Sequence, residues 1–193
     1  MSDCSFCLKK TFLVEDYICS PCLDFFLDSS PKKKLGIYSL FKYEKDLRRV
    51  IVKTKVKNNP QCLRSLLSLL RNSFLANELA IKSDKIMAAP SSLWSRARGR
   101  VDLAWLLANT LSKEHKKELI YPPFKLLWRL KKRAQKKRLG ESYNCSYFTK
   151  QKSNKTSVLV IDDIVTTGFT LNKLCHELEP MYNGEILTLA YSR

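Results

Sequence analysis

Residues 158–171, VLVIDDIVTTGFTL, constrain this chain more than any other stretch. Four β-favouring apolar residues, Val158 to Ile161, read as a buried strand. Two adjacent acids, Asp162 and Asp163, follow, which places both carboxylates just past the strand's C-terminal end. Open α/β sheets bind ligands there. Ile164 and Val165 then lead into a Thr-Thr-Gly turn. Thr166, Thr167 and Thr170 offer hydroxyls, and Gly168 lets the backbone bend tightly and approach a ligand. The next residues read as a helix start, whose exposed N–H groups and positive end favour a phosphate. Two carboxylates beside such a nest would repel an anion. They make sense if they accept hydrogen bonds from ribose hydroxyls, directly or through a divalent cation. The pattern therefore predicts a site for a sugar carrying a 5'-phosphate. The competing reading is a strand–turn–helix whose acids only solvate an edge.

A second pattern lies at the other end. Cys4, Cys7, Cys19 and Cys22 form CxxC-x11-CxxC. In a reducing compartment that spacing predicts a tetrathiolate zinc site and not disulfides. So short a segment cannot otherwise bury a core. Phe6, Phe12 and Tyr17 are expected to pack around the metal. A redox reading would need one CxxC at a helix start after a strand, and would leave the second pair without a purpose. Cys62, Cys145 and Cys175 are scattered and read as core or incidental thiols.

The third constraint is charge. Lys plus Arg minus Asp plus Glu is 35 − 18 = +17 over 193 residues. Lys32, Lys33 and Lys34 open one basic stretch, which continues through Lys42, Lys45, Arg48, Arg49, Lys53, Lys55 and Lys57. A second runs from Lys125 to Arg138 and includes Lys131, Lys132, Arg133, Lys136 and Lys137. Arg96, Arg98 and Arg100 make a third. Solvated faces usually mix signs, and these do not. A small diphosphate does not need so many cations, so a polyanion, nucleic acid or anionic lipid, is the expected partner. No run of 18 apolar residues exists to span a membrane. The N-terminus, MSDCSFCLKK, lacks the apolar stretch of a secretory signal, and a cytoplasmic location is the default expectation.

The pattern divides the chain into a zinc module, residues 1–30, and an α/β domain, residues 31–193, with Ser29-Ser30-Pro31 at the boundary. Ile37 to Phe41 reads as a strand, with a helix around Leu47 to Ile51. Cys62 to Ile81 is the clearest helix, because Leu63, Leu66, Leu67, Leu70, Phe74 and Leu75 recur at three- and four-residue steps. Lys85 to Ala89 is a short strand stopped by Pro90, and Val101 to Leu111 is a helix. Residues 113–157 are mostly basic and irregular, with Leu126 to Leu139 as a possible helix. The phosphate-turn strand follows, then a helix to about Glu179 and a last strand, Glu185 to Tyr191. This alternation predicts a parallel sheet covered on both faces.

Asp162, Asp163, Thr166, Thr167, Gly168 and Thr170 resemble the phosphoribosyl-pyrophosphate (PRPP) motif of type I phosphoribosyltransferases. With the double CxxC, the chain as a whole resembles the ComF family of natural transformation proteins. Three further blocks carry that resemblance: a Tyr-containing strand followed by a basic helix ending in a Lys motif, Ile37 to Lys57; IMAAPSSLWSRARGRVDLAWLLA; and the segment holding Gln135, Arg138, Asn144 and Phe148. It departs after Arg98-Gly99, where the family has Phe-Asn-Gln and this chain has Arg100, Val101 and Asp102.

The resemblance implies a type I phosphoribosyltransferase-like parallel sheet flanked by helices, with Mg²⁺ accompanying PRPP. It implies a pyrophosphate loop containing Pro90, Ser91, Ser92, Arg96 and Arg98, and a hood loop with Gln135, Arg138 and Asn144. It also implies a role in DNA uptake, peripheral contact with inner-membrane transformation machinery or DNA-processing proteins, and a preference for single-stranded DNA. Lys32, Lys33, Lys34 and the 131–137 cations would contact DNA, with Trp94, Trp128, Tyr143, Tyr147 and Phe148 available for stacking.

Three functions stay open on sequence: a PRPP- and DNA-binding uptake factor, an active phosphoribosyltransferase of unknown acceptor, and a zinc-dependent docking module. Only one helix and one strand are expected after Thr170, which leaves no room there for a base-recognising hood. His115 and His176 are isolated and read as surface or helix residues.

Overall fold

The computed structural model describes residues 1–29, 31–34, 36–90, 99–122 and 155–193. Two short strands, β1 (Ser2–Asp3) and β2 (Lys10–Thr11), pair antiparallel in front of helix α1 (Ser20–Leu27). The α/β unit runs β3 (Lys32–Lys34), β4 (Ile37–Phe41), α2 (Lys45–Lys57), α3 (Pro60–Asn72), α4 (Phe74–Lys82) and β5 (Lys85–Ala88). It continues through α5 (Leu103–Glu114), β6 (Glu118–Ile120), β7 (Val158–Ile164), α6 (Phe169–Leu178) and β8 (Ile186–Ser192). The large sheet has the order β3-β4-β8-β7-β5-β6, parallel except for β3.

Alternation along the strands builds two cores. Leu159 and Ile161 of β7, with Ile86, Leu187 and Leu189, pack under α2, α3 and α5. Val158 and Val160, with Met87 and Ala190, pack under Leu171, Leu174 and Leu178 of α6. The sheet is therefore covered on both faces, as expected. The antiparallel edge was not expected. All three β3 lysines are exposed, and Lys33 donates to the Tyr38 hydroxyl at 3.0 Å. Exposed lysines on an edge strand also block pairing with another sheet, so this triplet has a structural use beside any DNA contact.

Three other expectations are corrected. The 62–81 segment is two helices, broken at Ser73. That residue ends α3 in extended backbone, and its side chain caps α4 by accepting from the Ala76 N–H at 3.3 Å. A serine that satisfies an orphan N–H outcompetes continued helix, although the apolar period runs through it. Glu118–Ile120, inside the segment read as irregular, pairs with β5 as an edge strand too short to show a period. The strand read as Val158–Ile161 extends to Ile164, with Asp162 opposite Ala190 and Ile164 opposite Ser192.

The N-terminal module is joined to the α/β unit through one continuous core. Phe6, Phe26, Phe41 and Tyr191 form a ladder of ring contacts with centroids 4.7, 5.5 and 5.1 Å apart. Ser65 Oγ of α3 lies 2.9 Å from Ser5 Oγ and 2.8 Å from the Asp16 carbonyl, within hydrogen-bond distance of both, and Arg49 donates to the Phe6 carbonyl. Among the described residues, no helix is long and apolar enough to cross a membrane.

Candidate functional site

The chain leaves β5 and β7 toward opposite faces: β5 feeds α5, β7 feeds α6, and the two strands are hydrogen-bonded neighbours. This is a topological switch point, the place where an open parallel sheet leaves a crevice at its C-terminal edge. The Asp162–Thr170 segment and the start of the loop after β5 meet there, with the Ala89 N–H donating to the Ile161 carbonyl at 2.7 Å.

Because β7 runs to Ile164, both acids lie within the strand and not past its end. Adjacent strand residues point to opposite faces, so the two carboxylates do different things. Asp163 turns toward α2, where Lys55 Nζ reaches its Oδ2 at 2.5 Å. Ser192 Oγ donates to the Asp163 carbonyl at 3.3 Å. Asp162 turns toward the α6 side, next to the Thr-Thr-Gly turn. Burial, and then the charge of Asp163, push its carboxyl up to about 7, although its Oδ1 accepts from the Asp163 N–H at 2.8 Å. Asp102 also raises it. A carboxylate held this way gains most from a ligand that donates hydrogen bonds or brings positive charge.

The turn itself matches its expected geometry. Val165 is buried, while Thr166, Thr167 and Thr170 are exposed. Gly168 has φ +74 and serves as the N-cap of α6, and a Cβ there would stand 2.7 Å from Ile37 Cδ1. The backbone N–H groups of Thr166, Thr167 and Gly168 make no hydrogen bond to another described residue. Thr167 Oγ1 accepts from the Phe169 N–H at 3.3 Å. Free N–H groups at a helix N-terminus form an anion-binding concavity.

Two residues at this edge were not singled out from sequence. Lys55 belongs to the first basic stretch and to the Ile37–Lys57 block, with no role of its own assigned from sequence. Its signal is position: it follows Ile51 by four residues, on the stripe by which α2 buries Leu47 and Ile51. A cation on a buried stripe calls for a buried anion. Asn58, in left-handed backbone at the end of α2, donates to the Gly99 carbonyl at 3.3 Å. Asp102 caps α5 by accepting from the Trp105 N–H at 3.2 Å.

Pro90 ends the described part of the loop after β5. Ser91, Ser92, Arg96 and Arg98 lie outside the described residues, as do Gln135, Arg138 and Asn144. The same holds for Lys131, Lys132, Arg133, Lys136, Lys137 and the five stacking aromatics. Lys32 and Lys34 line a cleft of about 980 Å³ with Phe25, Phe26, Phe41 and Arg193. His115 contacts Asn77 and His176 contacts Glu179, away from the crevice.

The second centre is the cysteine cluster. The four sulfurs all lie within 4.8 Å of one another, and Cys7 Sγ is 3.7 Å from Cys19 Sγ. Zinc–sulfur bonds of about 2.3 Å put tetrahedral sulfurs about 3.8 Å apart, so the cluster fits a metal such as zinc. Local backbone makes this possible: Leu8 at φ 62 turns the first knuckle, and Cys19 caps α1 so that Cys22 sits in its first turn. Burial opposes ionisation of Cys4, but backbone hydrogen bonds at Cys7, Cys19 and Phe6 bring it down to about 7. Burial pushes the Cys22 thiol well up, and raises Cys19. Four such thiols ionise together only around a cation. Phe6 is buried beside them as expected, whereas Phe12 is 76% exposed and Tyr17 half-buried, so these two do not form the metal's apolar shell.

No protein-family model matches this sequence, and no curated protein matches it either.

Proposed function

We propose that the chain is a ComF-type DNA-uptake factor with a type I phosphoribosyltransferase-like domain. It binds PRPP or a related phosphorylated ribose at the Asp162–Thr170 turn, and single-stranded DNA on its basic surfaces. The observation that supports this most is placement. The strand–acid–turn–helix segment lies at the switch point of a parallel sheet, with open N–H groups and a left-handed Gly168 where a phosphate would sit.

In this reading the Thr166–Gly168 amides and the α6 terminus hold the 5'-phosphate. Asp162 accepts from a ribose hydroxyl, and Mg²⁺ bound with PRPP neutralises the diphosphate. The cysteine cluster holds structural zinc. The cleft between α1 and the β3 edge, with the exposed Phe25 ring and Lys32 and Lys34, suits a stacked base beside phosphates. The protein would act in the cytoplasm or against the inner membrane, with DNA-translocating or DNA-processing proteins. Calorimetric titration with PRPP and Mg²⁺ is expected to give saturable binding at equal stoichiometry; absence of heat and of competition by ribose 5-phosphate would remove the ligand assignment. Affinity for a single-stranded oligonucleotide should fall steeply with salt, since each neutralised phosphate contributes a log–log slope of about −0.7. A flat response would remove the polyanion assignment.

One observation favours docking as an additional role. Phe12, Val14 and Phe25 of the zinc module are 76, 55 and 66% exposed. Apolar side chains so placed suit a protein surface.

A further inference from the structure

We infer that Lys55 is a built-in counter-cation of the ligand site, so that the ribose 5-phosphate half of the ligand binds without a divalent cation. This rests on the sugar-phosphate reading of the Asp162–Thr170 turn.

The argument begins with how the pair is held. Lys55 lies in the last turn of α2 and Asp163 in β7, so the ion pair joins residues 108 apart in sequence. Their side chains are only 30 and 12% exposed, and the contact is 2.5 Å. Both ends are fixed. Asn58 ties the end of α2 to Gly99, and Ser192 holds the Asp163 carbonyl. Without Lys55, an incoming phosphate would bind near two uncompensated negative charges, Asp162 on the side of the turn and Asp163 on the opposite face of β7. With it, one of the two is already compensated by a full positive charge, and Asp162 alone faces the turn.

The same pair argues against a metal on Asp163. A hard cation would have to displace the ammonium and leave it partly buried without a counter-charge, which is strongly unfavourable. Magnesium also requires near-octahedral oxygen ligation, and Asp163 is turned to the other face of the strand from Asp162. Any divalent requirement of PRPP then belongs to its diphosphate and not to its sugar phosphate.

The test is calorimetric titration of the full chain with ribose 5-phosphate, in EDTA and in Mg²⁺. Wild type is expected to bind with affinities agreeing within about threefold in the two conditions. Lys55→Met should bind at least about tenfold more weakly in EDTA and recover part of the loss in Mg²⁺. Lys55→Arg, which keeps the charge, should hold wild-type affinity in EDTA, and it serves as the informative variant if Lys55→Met does not fold. The inference is overturned if wild type needs Mg²⁺ for ribose 5-phosphate, if folded Lys55→Met binds normally in EDTA, or if Lys55→Arg loses binding. Failure of wild type to bind under either condition overturns the sugar-phosphate reading itself.

Discussion

Replacing Cys19 and Cys22 together by serine is expected to release the metal and unfold the N-terminal module. The module has little else to hold it. Its buried apolar side chains are Cys4, Phe6, Ile18, Cys19 and Phe26, and its strands are two residues long. Structural zinc binding is worth about 10–16 kcal/mol in small modules, comparable with the whole stability of a domain. The damage should spread, because Phe6 and Phe26 pack in series onto Phe41 and Tyr191 at the end of β8. The variant should lose bound metal, melt earlier and aggregate through the uncovered aromatic face. Elemental analysis of the purified protein decides it. Equimolar zinc retained without these two thiols would contradict the tetrathiolate site.

Gly184→Ala carries the second large effect, at the opposite edge of the sheet. A Cβ on Gly184 would stand 2.4 Å from the Thr156 carbonyl carbon and oxygen and 2.6 Å from the Ser157 nitrogen. These are backbone atoms with no side-chain freedom to yield. They also belong to a junction that starts three strands. Ser157 accepts from the Asp84 and Lys85 N–H groups and donates to the Asp84 carboxylate at 2.7 Å, while the Val158 N–H donates to the Glu185 carbonyl. Overpacking of this kind costs about 3 kcal/mol, or roughly 6–12 °C of melting temperature for a chain of this size. Ligand affinity in the surviving folded protein should be unchanged, because the crevice is at the other end of the strands. A melting shift below about 2 °C would show that the junction relaxes freely.

Much of this arrangement was legible in the sequence, for identifiable reasons. β4, β5, α2, α5, α6 and β8 follow their apolar periods closely, and the cysteine spacing located the four sulfurs. The Thr-Thr-Gly turn was legible as a turn because Gly168 takes left-handed backbone at the start of α6. What escaped was nonlocal or competitive. Ser73 divides a continuous apolar period by satisfying an N–H, which periodicity cannot register. β6 and β3 are three residues long, and their lysines and glutamate carry no strand signal. The division between Asp162 and Asp163 depends on where β7 ends. That is set by the β8 ladder reaching Ser192, not by the composition of the strand. Lys55 finds Asp163 across most of the chain, so neither residue announces the other.

The most direct test of the ligand site compares PRPP binding by wild type and Asp162→Asn, with folding monitored on the same samples. The variant should be well folded. Asp162 titrates at about 7 in the folded chain against 3.8 ordinarily, so its ionisation lowers stability as pH rises between those values. Removing the charge should therefore raise stability above pH 7, and lost binding could not be ascribed to unfolding. The expected result is loss of PRPP affinity by at least about tenfold in Asp162→Asn. Undiminished affinity in that variant would contradict the account.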